Sequence, residues 1–178
     1  MENKRENEEE KYLKDEVKEF IKKNGEFTIN IALIDNKKPV LGVVEAPVLK
    51  TVYAGIVGQD AWKKIKQKKT VLENSKPVNL SHSGLRIVAS RSHLNKDTQE
   101  FLDNLNNPKI VSMGSSLKFM MVADGKADVY PRFAPTMEWD TAAAHAIINS
   151  IGANVVDQEN NDLLYNKENL LNPFFKVY

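Results

Sequence analysis

The sequence predicts a layered α/β fold, and three observations carry that expectation. An early run of alternating, β-branched segments reads as an antiparallel meander, and after Pro77 strand-like and helix-like segments take turns. The chain has 178 residues with 42% hydrophobic content, enough for a sizeable core in one ordinary domain or one domain plus part of another. Lysine and arginine total 25 against 24 acidic residues, a balance that gives no reason to expect a nucleic-acid or membrane surface and favours a small ligand. Cysteine is absent, which excludes disulfides and thiol catalysis. No amino-terminal apolar stretch resembles a signal or membrane segment, so the cytoplasm is the expected compartment. The histidines, His82, His93 and His145, are too scattered for a zinc site, and any metal should be a hard one held by oxygen.

Taken in order, residues 1–11 are nearly all charged or polar and are expected to stay disordered. Leu13, Val17, Phe20 and Ile21 then follow a helical stripe, predicting a short amphipathic helix that ends near Asn24-Gly25. FTINIALI, the turn Asp35-Asn36-Lys37-Lys38, PVLGVVEAPV and TVYAGIV supply the meander. The lysine-rich KKIKQKKT after Trp62 reads either as an anion patch or, more simply, as a solvated hairpin edge. These segments make up a first region, 12–76.

The second region, 77–178, opens on the strand IVAS, the helix TQEFLDNL and the strand KIVSMGS. SLKFMMVADG is a compact apolar helix closed by Gly125, and ADVYPRF is a strand. In EWDTAAAHAIINSIG, Ala142, Ala143, Ala146, Ile147 and Ile151 recur at helical spacing, and Gly152 sits where a C-terminal cap belongs. NVVD and LLYN read as short terminal strands, and the alternation favours a largely parallel sheet.

Chemistry is expected at the ends of these strands. Asp140 stands in the first turn of an almost wholly apolar helix, where it either caps the helix or holds a cation. Ser90-Arg91-Ser92-His93 follows a strand and suits a phosphate or ribose, unless Ser92 or Asn95 merely caps the next helix. Gly114-Ser115-Ser116-Leu117-Lys118 joins a strand to a helix whose first N–H groups and lysine favour an anion, and it lacks the P-loop pattern. Arg132 ends the next strand. Phosphate-directed cations beside a carboxylate able to hold Mg²⁺ describe metal-assisted phosphoester chemistry.

WDTAAAHAI, GSSLKF, ADGKADVYPRFAPTMEWD, the SRSH loop and KEFIKKNGEFTINIAL together closely resemble the 3'(2'),5'-bisphosphate nucleotidases of the inositol monophosphatase superfamily. The likeness runs from about Lys18 to the closing LLNPFF. It implies an inositol-monophosphatase-like layered α/β sandwich. It also implies a Mg²⁺-dependent phosphatase that removes the 3'-phosphate of adenosine 3',5'-bisphosphate, a small-molecule substrate from sulfate assimilation. By the same resemblance Asp140 binds metal, Ser115 or Ser116 and Lys118 bind nucleotide or phosphate, and His93 and Arg132 help hold the nucleotide.

Upstream the match breaks. Where the family carries an Asp-Pro-hydrophobic-Asp-Gly-Thr loop, this chain has Tyr12 to Val17, and only Asp15 coincides with a metal ligand. On the helical reading Asp15 lies about 200° around from Leu13 and faces water. The expectation is therefore an amino-terminally truncated family member lacking the first helices and part of the metal site, weakly active or inactive. The alternative is a non-catalytic module that binds an adenine nucleotide or phosphate. Apolar residues of FTINIALI and VLGVVEAPV should then lie exposed on one sheet face and favour self-association.

Overall fold

The computed structural model describes residues 26–89 and 94–178. The charged start 1–11 and the amphipathic segment 12–24 lie outside the described residues. The alternating segments form a five-stranded antiparallel sheet in sequence order: β1 (Ile29–Asp35), β2 (Lys38–Ala46), β3 (Thr51–Ile56), β4 (Trp62–Ile65) and β5 (Lys68–Val71). The β1–β2 turn holds both Asn36 and Lys37 at positive φ, 46° and 63°, the hairpin geometry whose twist suits the flanking strands. The lysine-rich stretch is the β4–β5 hairpin at the edge of this sheet, with β5 exposed throughout and the Lys69 ammonium 4.4 Å from the Trp62 ring. It is a solvated edge, as the simpler reading has it.

Beyond Pro77 come β6 (Arg86–Ala89), α1 (Lys96–Asp103), β7 (Lys109–Ser112), α2 (Leu117–Ala123), β8 (Tyr130–Arg132), α3 (Glu138–Ser150), β9 (Val155–Asp157) and β10 (Phe175–Val177). β6 and β7 pair as parallel strands, a parallel bridge between Ile87 and Val129 joins β6 to the lead-in of β8, and β10 enters between β8 and β9, antiparallel to both. Four of these five strands therefore run the same way, as the alternation of strands and helices leads one to expect, and β10 is the one antiparallel member, arriving without a crossover helix. LLYN is not a strand. Leu163 and Tyr165 are buried, but the backbone N–H of Tyr165 goes to the Lys37 carbonyl at 3.0 Å, and that of Asn166 goes to the Glu138 carboxylate at 2.7 Å. With its donors spent on a turn and a side chain, the segment has no ladder to join.

Helix α3 lies across the inner face of the five-stranded sheet, where small residues let it approach closely. A Cβ on Gly42 would overlap the Ala143 carbonyl, and one on Gly55 would come within 2.7 Å of Ser150 Oγ and 3.1 Å of Ile147 Cα. The main core runs from Val44 and Tyr53 of the sheet through Ile147 and Ile148 to Phe119 and Phe175, so it draws on both regions of the chain. A smaller cluster gathers Leu85, Ile87, Leu102 and Val129. Gly125 and Gly152 close α2 and α3 at φ +63° and +74°. The outer face of the sheet is different, with Ile29, Ile31 and Leu33 exposed at 50%, 61% and 58%. Among the described residues no helix is long and apolar enough to cross a membrane.

Candidate functional site

The start of α3 is fixed from three sides. Met137 takes the extended N-cap position, and Asp140, three residues on, accepts the Met137 N–H through Oδ2 at 2.7 Å, so the capping reading of Asp140 is realised. Asn172 clamps the lead-in: its backbone N–H donates to the Thr136 carbonyl at 2.8 Å, and its Nδ2 donates to the Met137 carbonyl at 2.8 Å and to Thr141 Oγ1 at 3.0 Å. Glu138 is buried, and its carboxylate accepts from the Asn166 N–H at 2.7 Å and from Lys167 Nζ at 2.5 Å. One turn further in, His145 Nδ1 and the Tyr165 hydroxyl meet at 2.9 Å, and Tyr165 donates to Thr141 Oγ1 at 3.2 Å. Burial pushes His145 down to about 4 and pushes the Tyr165 phenol up, so both are neutral at pH 7. The Asp140 carboxylate thus stands half-buried at the rim of a hydrogen-bonded frame.

The turn before α2 is anchored to β1. Ser115 adopts φ +49°; its hydroxyl lies 2.9 Å from Thr28 Oγ1, and the Ser116 hydroxyl lies 2.7 Å from the same atom. Ser116 also donates to Asn30 Oδ1 at 2.9 Å and is buried, so its hydroxyl is committed to the sheet, whereas Ser115 stays half-buried. Lys118 bends back so that Nζ donates to the Ser115 carbonyl at 3.4 Å. Reading the sequence did not single out Thr28 and Asn30. The signal was present as two polar residues at alternate positions opening an otherwise apolar strand.

Lys118, Arg132 and Asp140 all lie in the neighbourhood of Tyr130. The Lys118 ammonium is 6.0 Å from the Tyr130 ring centroid. Burial raises the Tyr130 phenol above its ordinary range, Arg132 pulls it back down, and Asp140 pushes it up. Arg132 Nη2 donates to the Pro135 carbonyl at 3.2 Å, and among the described residues its buried Nε has no hydrogen-bond partner. Ser90 to His93, including the site candidate His93, and the metal candidate Asp15 lie outside the described residues. Asn95, just after that loop, caps α1 by accepting the Thr98 N–H at 2.9 Å.

The described residues do not by themselves fit Mg²⁺. Among them no group of three or more acidic, histidine or cysteine side chains could hold a metal ion, and Asp140 already accepts a backbone N–H. A cavity of about 490 Å³ lies at the far end of α2, lined in part by Lys63, Lys76, Arg86, Asp124 and Asp128. Two of its carboxylates are already paired, Asp124 with Lys63 at 2.7 Å and Lys126 at 2.9 Å, and Asp128 with Arg86 at 2.5 Å. That end of the helix is tied by ion pairs, while the Tyr130 end holds a buried guanidinium nitrogen that has no acceptor among the described residues.

Comparison with known proteins bears on the family and the fold. The model of the inositol monophosphatase family matches residues 15–173. The 3'(2'),5'-bisphosphate nucleotidase CysQ of Escherichia coli K12 is 46% identical over 167 residues, 92% of this chain and 64% of the relative. The Salmonella typhimurium CysQ is 48% identical over the same shares. The crystal structure of CysQ from Bacteroides thetaiotaomicron, 45% identical, superposes with a TM-score of 0.77 over 90% of this chain and 65% of that one. Inositol monophosphatase II of Staphylococcus aureus, at 19% identity and a TM-score of 0.73, shares the fold. The chain thus spans just under two thirds of the length of the relatives it matches.

Proposed function

The chain belongs to the inositol monophosphatase family, and from that membership we propose that it binds a doubly phosphorylated adenine nucleoside, adenosine 3',5'-bisphosphate, around Tyr130. The proposed reaction class is phosphoric monoester hydrolysis, in a cytoplasmic setting and dependent on a divalent metal, with Mg²⁺ the ion to test. The observation that carries this reading is the convergence of Lys118, Arg132 and Asp140 on one buried tyrosine. The similarity to CysQ proteins that are 3'(2'),5'-bisphosphate nucleotidases supports the substrate class.

The chain's own residues would act mainly by charge. An anionic phosphate beside Arg132 supplies the acceptor that its buried Nε lacks, and Lys118 adds a second cation at half-buried depth, where a charged hydrogen bond is stronger than in water. Asp140, fixed by the Met137 N–H and the Asn172 clamp, keeps a carboxylate at the rim of that positive pair. His93 and Ser115 are proposed to complete the nucleotide contacts, and Asp15 to join Asp140 at the metal. Turnover is proposed to be slow or absent. Tyr12 and Val17 stand where the resemblance puts a second aspartate and a water-orienting threonine, which favours binding without efficient cleavage.

Calorimetry with adenosine 3',5'-bisphosphate, with and without Mg²⁺, tests the binding. Saturable heat that Lys118→Ala weakens by roughly 10- to 100-fold, and that Lys66→Ala on the exposed hairpin leaves alone, is the expected result. Silence at millimolar nucleotide overturns the site. Phosphate release measured alongside separates the two modes, because turnover matching a complete relative overturns the non-catalytic one.

A further inference from the structure

The five-stranded sheet and the second region share a core, but at one edge of the sheet they leave a gap. A cavity of about 490 Å³ opens between the β4–β5 hairpin, the connecting segment 72–79 and the last turn of α2. It lies on the α3 side of the sheet, because Lys63 and Thr70 on its wall share a row with the buried Tyr53. Its size and its place between two parts of the fold are those of small-ligand sites. Leu72, Leu85, Val122 and Ile151, all buried, give it an apolar lining.

A count of donors and acceptors on the polar wall says what kind of ligand fits. The two inner carboxylates are already saturated. Asp124, its side chain 2% exposed, accepts from the Tyr53 hydroxyl at 3.1 Å, from Lys63 Nζ at 2.7 Å and from Lys126 Nζ at 2.9 Å. Asp128 accepts from the Arg86 backbone N–H at 2.7 Å and from Arg86 Nε and Nη2 at 3.1 and 2.5 Å. The cations are not saturated. An ammonium carries three N–H groups and a guanidinium five. Lys63 spends one on Asp124, while Arg86 spends two on Asp128 and one on the Gly125 carbonyl at 2.7 Å. The Lys76 ammonium has no partner among the described residues. Of the lining carboxylates only Glu73 stays open, and it is exposed. The inner wall therefore offers donors without acceptors to match.

We infer that this cavity is a second binding site, one that takes an organic oxyanion. The phosphate, sulfate or carboxylate group of such a molecule meets Lys63, Lys76 and Arg86, and its apolar or planar body rests on Leu72, Leu85 and Val122. The bonds it receives are charge-assisted, the stronger kind. A divalent cation is the wrong guest, because both inner carboxylates are occupied. Lys118 stands in the first turn of α2 and the cavity at its last, so the site does not depend on the nucleotide reading at Tyr130.

The test titrates the isotope-labelled full chain with 1-naphthalenesulfonate and, separately, 1-naphthoate, following backbone amide shifts. The expected result is saturable binding of at least one of them, with the largest shifts in residues 72–79 and Gly125; the tighter of the two identifies the head group. Lys76→Glu and Thr70→Glu, both at exposed positions, should each weaken that binding roughly 10- to 100-fold with unchanged circular dichroism. Ile31→Glu, on the outer face, should leave it alone. The neutral 1-naphthalenemethanol should bind at least about 10-fold more weakly. No saturable shift with millimolar probe overturns the inference, as do shifts confined to the Tyr130 cluster. Indifference to both glutamate variants, or equal affinity for the neutral compound, overturns it too, because the charged wall then plays no part.

Discussion

The two faces of the five-stranded sheet are built from alternate residues of the same strands, yet they meet different fates. The inner face carries Gly42, Ala46 and Gly55, and their small size lets α3 settle on the sheet with Ile147 fully buried. The outer face carries Ile31, Leu33 and Val71, which are larger and more apolar, and these are the exposed ones. Hydrophobicity alone therefore does not say which face is covered. Shape complementarity to a particular helix does, and where it is absent, apolar surface stays exposed. The proposed site depends on the covered face, because that face fixes the helix that carries Asp140, and the inner-face residues Thr28 and Asn30 hold the turn before Lys118.

Breaking the inner contact should have the largest effect. Gly42→Val drives a side chain into the Ala143 carbonyl, which is backbone and cannot swing aside. The expected cost is about 4–5 kcal/mol or more, the exceptional end for single substitutions. Urea unfolding should show little folded protein; a stable variant would mean α3 can slide along the sheet. The comparison sharpens with a matched pair. Ile147→Ala removes a fully buried side chain and should cost roughly 3–4 kcal/mol, whereas Ile31→Ala on the outer face should cost under about 0.5 kcal/mol. Equal losses would mean that the outer face is covered by the chain itself.

Much of this contrast was legible in the sequence and some was not. The meander, the Asn36-Lys37 turn, the solvated lysine hairpin and the α3 helix with its Asp140 cap are local in origin, set by alternation, turn residues and helical spacing. The need for Gly42 is not local, because its neighbour lies about a hundred residues away at Ala143. The same limit explains β10 and LLYN. LLYN reads as a terminal strand and Phe175–Val177 is given no element, but the tertiary bonds of Tyr165 and Asn166 make LLYN a tether, and Phe175–Val177 is the strand. In the site, strand ends pointed to Lys118, Arg132 and Asp140, each a neighbour of Tyr130, and their role stays a proposal. Thr28 and Asn30 went unnoticed because their role lies in pairing with Ser115 and Ser116 far along the chain. His93 and Asp15 remain proposals, outside the described residues.

The covered side also carries a titrating group that the outer face lacks. His145 sits on α3, 2% exposed, with Nδ1 against the Tyr165 hydroxyl. Burial lowers it from an ordinary 6.5 to about 4, with Asp162 pulling more weakly the other way. Between those two values the unfolded chain binds a proton that the folded chain refuses, so stability is complete above pH 6.5 and falls as the pH drops toward 4. The full loss is on the order of 3 kcal/mol. Asp128 and Asp157, held below 3.8 by their hydrogen bonds, withdraw their own contributions only at lower pH, so the histidine window stands apart. Urea midpoints from pH 7 to 4.5 should therefore fall steadily in the wild type and much less in His145→Gln, which keeps a partner for Tyr165 but cannot take up the proton. If both proteins lose stability in parallel, the proton is taken up elsewhere, and α3 is not the acid-sensitive side of the sheet.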